Sequence, residues 1–309
     1  MSEVVYPIKV VVKRTGLSAH VIRVWERRYR AVEPKRTPTN RRAYSADDIE
    51  RLRLLRQLTQ QGHAIGFLAK LPMNELTNLG SAGTGTAAEM PLTDADGVIA
   101  QCLEATKRLD TARLESLLKE AELAFGVHGL VRRVIAPLAQ RLGEQWRLGA
   151  LGAAHEHFAA AVLRTVLGQI IRQSAGAGHA PVIVIATPQG QLHELGALIV
   201  GALAGNLGWR VLYLGASLPA AEIAAAARLH HARLVGLSLV YPEDDPLLGT
   251  ELQRLRELLP ADTGIITGGR ASPAFADPLQ RIGAVQVEGL DELGEQLDRL
   301  RRPAQARAE

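Results

Sequence analysis

The pattern of apolar and polar residues changes period near residue 180. From there onward, short apolar runs predict β-strands that are buried on both faces, and they lie at 181–186, 209–214, 233–239, 263–267 and 284–287. Helical patterns separate these runs, at 193–206, 219–230, 246–258 and 289–301. The alternation predicts a C-terminal α/β domain over 180–303, a doubly wound parallel five-stranded sheet of the Rossmann or flavodoxin-like class.

Before residue 180 the apolar residues follow the helical period alone. Four helices are predicted, at about 94–108, 111–124, 127–146 and 153–174. Four such helices predict a four-helix bundle over 94–176. The preceding segment 76–93 is rich in glycine, serine, threonine and alanine, so we interpret it as a flexible linker and as the main domain boundary.

Residues 1–75 predict a small winged-helix domain. Ser18 can cap a helix over 19–30, and a basic segment with two prolines, 33–42, predicts a wing. Ser45 can cap a further helix with a leucine stripe. A turn, a basic helix and a wing in this order are typical of a winged helix-turn-helix, which reads double-stranded DNA.

The distribution of charge supports DNA as the partner. Residues 1–60 contain 14 Lys/Arg against 6 Asp/Glu, whereas the whole chain has a net charge of only +4. A basic lobe on a near-neutral body is typical of nucleic-acid binding. The candidate DNA contacts are Arg23, Arg27, Arg28 and Tyr29 of the helix and Arg36, Arg41, Arg42 and Tyr44 of the wing.

Composition narrows the cellular setting. Cys102 is the single cysteine, so an intrachain disulfide and a multi-cysteine zinc site are excluded. The sequence contains no apolar run of eighteen residues and no signal-peptide pattern. We therefore expect a cytoplasmic protein without a membrane partner.

The first domain resembles the MerR family of winged-helix regulators over about residues 7–72. The resemblance rests on the segment 23–29 (Arg-Val-Trp-Glu-Arg-Arg-Tyr), the Pro34/Arg36 wing and the segment 42–49 (Arg-Ala-Tyr-Ser-Ala-Asp-Asp-Ile). It implies an operator-binding protein that acts as a homodimer.

His193 is the candidate ligand residue of the sheet domain. It follows the first strand, at the carboxyl edge where doubly wound sheets bind their ligands, and a neutral imidazole can ligate a metal. With Gly196, the residues that complete the pattern are Ser238, Val240, Gly268 and Gly269. This pattern resembles the cobalamin-binding domain of methionine synthases and related mutases, which implies that His193 is the lower axial ligand of cobalt. The Ser and Gly-Gly positions then make room for the nucleotide tail.

Gln191 departs from that family's pattern. The family usually has Asp or Glu two residues before the histidine, where the acid orients the imidazole ring. Glutamine can still accept a hydrogen bond through its carbonyl oxygen, but it carries no charge.

The helical region adds a third resemblance. Trp146 is followed at a spacing of ten residues by Glu156 and His157, and all three can converge on one end of the bundle. The order and spacing resemble the CarH/LitR family of light-responsive, adenosylcobalamin-dependent regulators, in which the Trp covers the upper face of the cofactor and the Glu and His lie by its adenosyl group. Arg147 replaces the histidine that follows the Trp in light-responsive members, and arginine cannot ligate a metal.

The sequence thus predicts a regulator, not an enzyme. We expect a DNA-binding repressor that senses adenosylcobalamin, with or without light, and changes between homo-oligomers, among them a tetramer. Three alternatives stay open: a redox or gas sensor that holds haem b on His193, a corrinoid-carrying enzyme module, and a regulator whose sensor domain binds nothing.

Overall fold

The computed structural model describes residues 5–17, 19–36, 42–60, 65–81, 93–173 and 180–301. The chain divides into two compact units, Met1–Leu151 and Gly152–Glu309. This division falls between the third and fourth helices of the predicted bundle. Among the described residues, no helix is both long and apolar enough to cross a membrane.

The first unit begins with the winged-helix elements. They are α1 (Ile8–Thr15), α2 (Ala19–Tyr29), β1 (Lys35–Arg36), β2 (Arg42–Ala43), α3 (Ala46–Gln60), α4 (Ile65–Leu68) and α5 (Met73–Ser81). β1 and β2 pair antiparallel, with Lys35 opposite Ala43, and form the wing. Trp25 of α2 and Leu52 and Leu55 of α3 are completely buried in one apolar core. The predicted helix-turn-helix with a wing is confirmed.

The predicted linker over 76–93 begins too early. Leu76 is completely buried and Leu79 packs on the same core, so burial of these leucines extends α5 to Ser81. Helical structure resumes at Thr93. The intervening part of the predicted linker, and Ser18, the predicted cap of α2, lie outside the described residues.

Three helices complete the first unit: α6 (Thr93–Lys107), α7 (Thr111–Gly129) and α8 (Ala136–Arg147). Asp110 caps α7 by accepting a hydrogen bond from the amide of Arg113, at 2.9 Å. At Gly126 the backbone turns to φ 69°, and a π-helical stretch, Leu130–Ile135, joins α7 to α8. The predicted break near 126 is therefore present, although the helix continues beyond it.

His128 gives the first unit a pH-dependent stability. Its ring is buried and lies 3.1 Å from Nη1 of Arg132, and burial first and that cation second lower its pKa from 6.5 to about 4. As the pH falls from 6.5 toward 4, the His128 imidazole therefore becomes protonated in the unfolded chain but stays neutral in the folded chain. We expect the free energy of unfolding to fall by about 2 kcal/mol between pH 7 and pH 5.

Urea denaturation at several pH values measures this effect. His128→Gln is the comparison, since glutamine can accept a hydrogen bond from Arg132 but does not titrate. Its stability should change less over the same interval. Equal pH dependence in the two proteins would contradict the prediction.

The second unit contains α9 and the α/β domain. Its elements are α9 (Ala153–Gln173), β3 (Val182–Pro188), α10 (Leu195–Asn206), β4 (Arg210–Leu218), α11 (Ala220–Leu229), β5 (Leu234–Ser238), α12 (Leu248–Leu258), β6 (Gly264–Gly268), α13 (Ala276–Arg281), β7 (Val285–Val287) and α14 (Leu290–Arg301). The five parallel strands run in the order β4-β3-β5-β6-β7. The predicted doubly wound sheet is confirmed, and its topological switch point lies between β3 and β5.

Helix α9 packs on α10 and runs in the same direction. Arg164 of α9 meets Glu194 at the start of α10, and one heptad further along both helices Ile171 meets Gly201. Because α10 begins at the carboxyl edge of the sheet, the first turns of α9 extend beyond that edge.

Candidate functional site

His193 lies at the carboxyl edge of the sheet, in the loop between β3 and α10. Its imidazole is exposed and meets the ring of Tyr241 edge-on, with 6.0 Å between the ring centroids and 77° between the planes. Within the described residues the imidazole has no hydrogen-bond partner. A ring nitrogen of the neutral form is therefore free to bind a metal at the switch point.

Gln191 is buried and holds a neighbouring loop instead of the histidine. Its Oε1 accepts hydrogen bonds from the amides of Val240 and Tyr241, at 2.9 and 3.0 Å, and its Nε2 donates to the carbonyl of Pro242 at 3.0 Å. These hydrogen bonds leave Gln191 turned toward the 240–242 loop and not toward the His193 ring. The side chain fixes the loop that carries Tyr241.

Glu194 follows His193 directly and joins three elements. Its Oε1 accepts a hydrogen bond from Nε of Arg164 at 2.5 Å, and its Oε2 accepts one from the hydroxyl of Tyr213 on β4. Burial, together with the Glu194 carboxylate, raises the pKa of Tyr213, so this phenol stays protonated and donates. No sequence pattern identified Glu194, whose only signal was an acidic residue next to the candidate ligand.

Gly196 and Gly269 allow neighbouring segments of the chain to approach each other closely. A Cβ at Gly196 would lie 2.6 Å from Oγ of Ser238, so the first turn of α10 sits directly against the end of β5. Gly269 has φ 107°, and a Cβ there would overlap the carbonyl oxygen of Leu239. Glycine at 196 and 269 is thus required by the protein's own atoms, and the room for a nucleotide tail at Ser238, Gly268 and Gly269 stays a prediction. Val240 lies just after β5 and contributes its amide to Gln191.

Two hydroxyls near Gly268 are buried without a partner. Oγ1 of Thr267, at the end of β6, and Oγ of Ser272 find no hydrogen-bond partner among the described residues. Unpaired buried hydroxyls cost free energy, so they indicate a partner that a bound molecule can supply.

The surroundings of His193 are apolar and exposed. Leu192 is 71% exposed and Tyr241 58%, whereas most large apolar side chains of this unit are buried. A cluster of this kind at a ligand edge is typical of a binding surface.

Glu156 and His157 lie near the start of α9, which begins at Ala153. His157 precedes Arg164 by seven residues, so both lie on the stripe of α9 that faces α10, and about 10 Å of helix separates them. This places the exposed His157 beyond the carboxyl edge of the sheet, with Nδ1 3.3 Å from Oε2 of Glu156. Trp146 is half-exposed at the end of α8 in the first unit, so its convergence with these residues stays a prediction.

Helix α2 presents the candidate nucleic-acid interface of the first unit. Arg23 and Arg27 are four residues apart on its exposed side, opposite the buried Trp25. Tyr29 is half-buried and Arg36 of β1 is exposed. The side chain of Arg28 and the whole of Arg41 lie outside the described part of the chain.

Arg42 and Tyr44 of the wing turn toward α2. Nε of Arg42 donates to both carboxylate oxygens of Glu26, at 2.9 and 2.8 Å, and the Tyr44 hydroxyl lies 3.4 Å from Oε2. Tyr44 is completely buried, and burial first and Glu26 second raise its pKa to about 12. The prediction that Tyr44 contacts DNA is therefore wrong, because the ring is part of the domain core.

Glu26 links the wing to α2, and we expect its replacement to loosen that link. Glu26→Gln removes the charge from a pair that is less than one-third exposed, which should lower the free energy of unfolding by about 1 kcal/mol. Thermal denaturation measures the loss. Glu50→Gln is the matched control, because its pair with Arg53 is exposed and should contribute little. Equal losses in the two variants would contradict this role of Glu26.

Known protein families match three segments of the chain. The MerR HTH family regulatory protein family matches residues 6–71, and B12 binding domain families match residues 98–171 and 181–295. These segments cover the winged helix, the helices from α6 to α9, and the sheet domain.

Relatives match nearly the whole chain. The HTH-type transcriptional repressor CarH of Myxococcus xanthus is 30% identical over 290 residues, which are 94% of this chain and 97% of that protein. The HTH-type transcriptional repressor CarA of the same organism is 27% identical over 288 residues, 93% and 94% of the two chains. A solved structure, the monomethylamine corrinoid protein of Methanosarcina barkeri, is similar in fold with a TM-score of 0.52 at 15% identity, over 66% of this chain and 98% of that one.

Proposed function

The chain belongs to the family of the HTH-type transcriptional repressor CarH, and we propose that adenosylcobalamin held at His193 controls its binding to operator DNA. It is a B12-sensing, DNA-binding transcriptional regulator rather than an enzyme. The proposal adds the form of the cofactor, its protein ligand and the means by which it changes DNA binding.

The observation that carries the proposal is the environment of His193. An exposed imidazole, for which the described part of the chain supplies no hydrogen-bond partner, lies at the switch point of the sheet beside Leu192 and Tyr241. A corrin ring is broad and largely apolar, and its metal accepts an axial nitrogen, so this edge suits it. When bound, adenosylcobalamin supplies a cobalt centre and a cobalt–carbon bond that light can break.

The remaining parts of the cofactor have candidate residues as well. The unpaired hydroxyls of Thr267 and Ser272, beside Gly268, suit the polar nucleotide tail. Glu156 and His157 extend beyond the same edge on α9 and can hydrogen-bond the adenosyl group. Both assignments follow from positions within the second unit.

Control of DNA binding requires a ligand that favours one assembly over another. A ligand shifts such an equilibrium only by its difference in affinity for the two states. We propose that the cofactor-bound chain forms the assembly that represses, a homotetramer built from homodimers, and that loss of the cofactor favours the weaker binder. Arg147 cannot ligate cobalt, so any light response has to proceed without a second ligand from that position.

Purified protein incubated separately with adenosylcobalamin and haem b tests the proposal. We expect an alkylcobalamin spectrum that survives gel filtration, a larger assembly with cofactor in the dark, and tighter binding to the upstream region of its own gene. A Soret band with haem and no retained cobalamin would refute the cofactor assignment. Cofactor loss and DNA release after illumination would add light as the signal, and an unchanged complex would restrict the sensor to cofactor supply.

A further inference from the structure

His193 is anchored through its backbone and not through its ring. The Gln191 side chain makes three hydrogen bonds to the 240–242 loop, and none of them orients the His193 ring. The imidazole itself has no hydrogen-bond partner among the described residues. Its position therefore depends on how firmly the residues on either side are held.

Glu194, the residue that follows His193, is held in place by its side chain. Both of its carboxylate oxygens are engaged, one by the Arg164 guanidinium at 2.5 Å and the other by the Tyr213 hydroxyl. The Glu194 side chain is only 18% exposed, so these bonds are screened less than those of a surface pair. The two donors come from α9 and β4, which are separate elements.

The same contact fixes α9. Arg164 lies two helical turns after Glu156 and one heptad after His157, so its bond to Glu194 sets how far those residues extend beyond the sheet edge. A shift of α9 along α10 would break this bond and move both side chains relative to His193. The Glu194 carboxylate thus links the position of His193, the candidate metal ligand, with that of Glu156 and His157, the candidate contacts of the adenosyl group.

Resting on the proposed function, we propose that Glu194 is a positioning residue: held by Arg164 and Tyr213, it fixes His193 under the cobalt and sets α9 over the cofactor. The relevant ligand is a corrinoid whose metal accepts an imidazole. Glu194 does not touch the metal in this proposal and acts through its neighbour.

Glu194→Gln in the full-length protein is the main test, since it keeps the shape of the side chain and removes its charge. Adenosylcobalamin is titrated in the dark and followed by its absorption spectrum. We expect about tenfold weaker binding, as for other partners of a metal ligand, and a spectrum shifted toward that of cofactor without an axial imidazole. Asp298→Asn, which breaks an exposed ion pair with Arg301 in the same unit, should change neither.

A double-mutant cycle with His193→Ala separates positioning from mere stabilisation. If Glu194 acts through His193, part of the tenfold effect of Glu194→Gln should disappear once the imidazole is gone, because residues that act together are not additive. The effect that remains measures the contribution of α9. A full tenfold loss in both backgrounds, or an unshifted spectrum, would overturn the inference. Should Glu194→Gln fail to fold, Tyr213→Phe removes one bond only and should weaken binding about threefold, with the same spectral shift.

The same experiment also tests the proposed function separately. If the unmodified protein does not retain cobalamin, or if His193→Ala binds it as tightly, the proposed function fails and the inference fails with it. If both proteins behave as proposed and Glu194→Gln matches the unmodified protein, the inference alone is refuted.

Discussion

Replacing His193 with alanine should strongly weaken the binding of cobalamin while leaving the protein folded. The side chain is exposed, has no hydrogen-bond partner among the described residues and lies edge-on to the exposed ring of Tyr241, so its loss should cost the fold little. Removing the hydrogen-bond partner of a metal ligand can weaken metal binding about 100-fold. Losing the ligand itself should weaken cobalamin binding at least as much. Operator binding should then no longer respond to added cofactor.

Spectroscopic titration and gel-shift assays with and without adenosylcobalamin measure the two effects. Free imidazole added to His193→Ala should restore part of the spectrum, because it can occupy the vacated axial position. His230→Ala is the matched control, an exposed histidine after α11 in the same unit. Retained cofactor and an unchanged DNA response in His193→Ala would mean that another residue holds the corrinoid.

The fold was predictable where one pattern dominates a whole element. β3 is buried along its full length, and its continuous apolar run marks it as a central parallel strand. The helix α13 and the short 3-10 turn before it, Ser272–Phe275, were missed because prolines at 273 and 278 interrupt any helical period. α5 was missed for a different reason. The composition of its segment resembles that of a linker, and the burial of Leu76 results from tertiary packing.

The site was predictable only to the level of single positions. The spacing of His193 and Gly196 after β3 placed the histidine at the right edge of the sheet. The partners of Gln191 lie about fifty residues later in the chain, so no local pattern reveals that its amide is already engaged. The direction of the Tyr44 side chain could not be predicted either, because a tyrosine beside a basic wing can face either the DNA or the core.

Charge reversal at Arg23 and Arg27 should cause the largest loss of operator binding. The two guanidinium groups lie on the exposed side of α2, and the buried Trp25 on the opposite side fixes the orientation of the helix. Each contact to a base or phosphate contributes about 1–3 kcal/mol, and glutamate at these positions also repels the backbone. We expect Arg23→Glu with Arg27→Glu to weaken operator binding at least about 100-fold.

The dependence on salt identifies the cause of that loss. Fewer neutralised phosphates release fewer counterions, so the slope of log affinity against log salt should become shallower by about one for each lost contact. Arg108→Glu with Lys119→Glu is the matched control, because it makes the same charge change at two exposed positions, one in the connection between α6 and α7 and one in α7. Cobalamin binding should be equal in both double variants, since none of the four residues is a candidate contact of the cofactor. If the control weakens operator binding as strongly, the net charge of the unit drives association and α2 does not read the DNA.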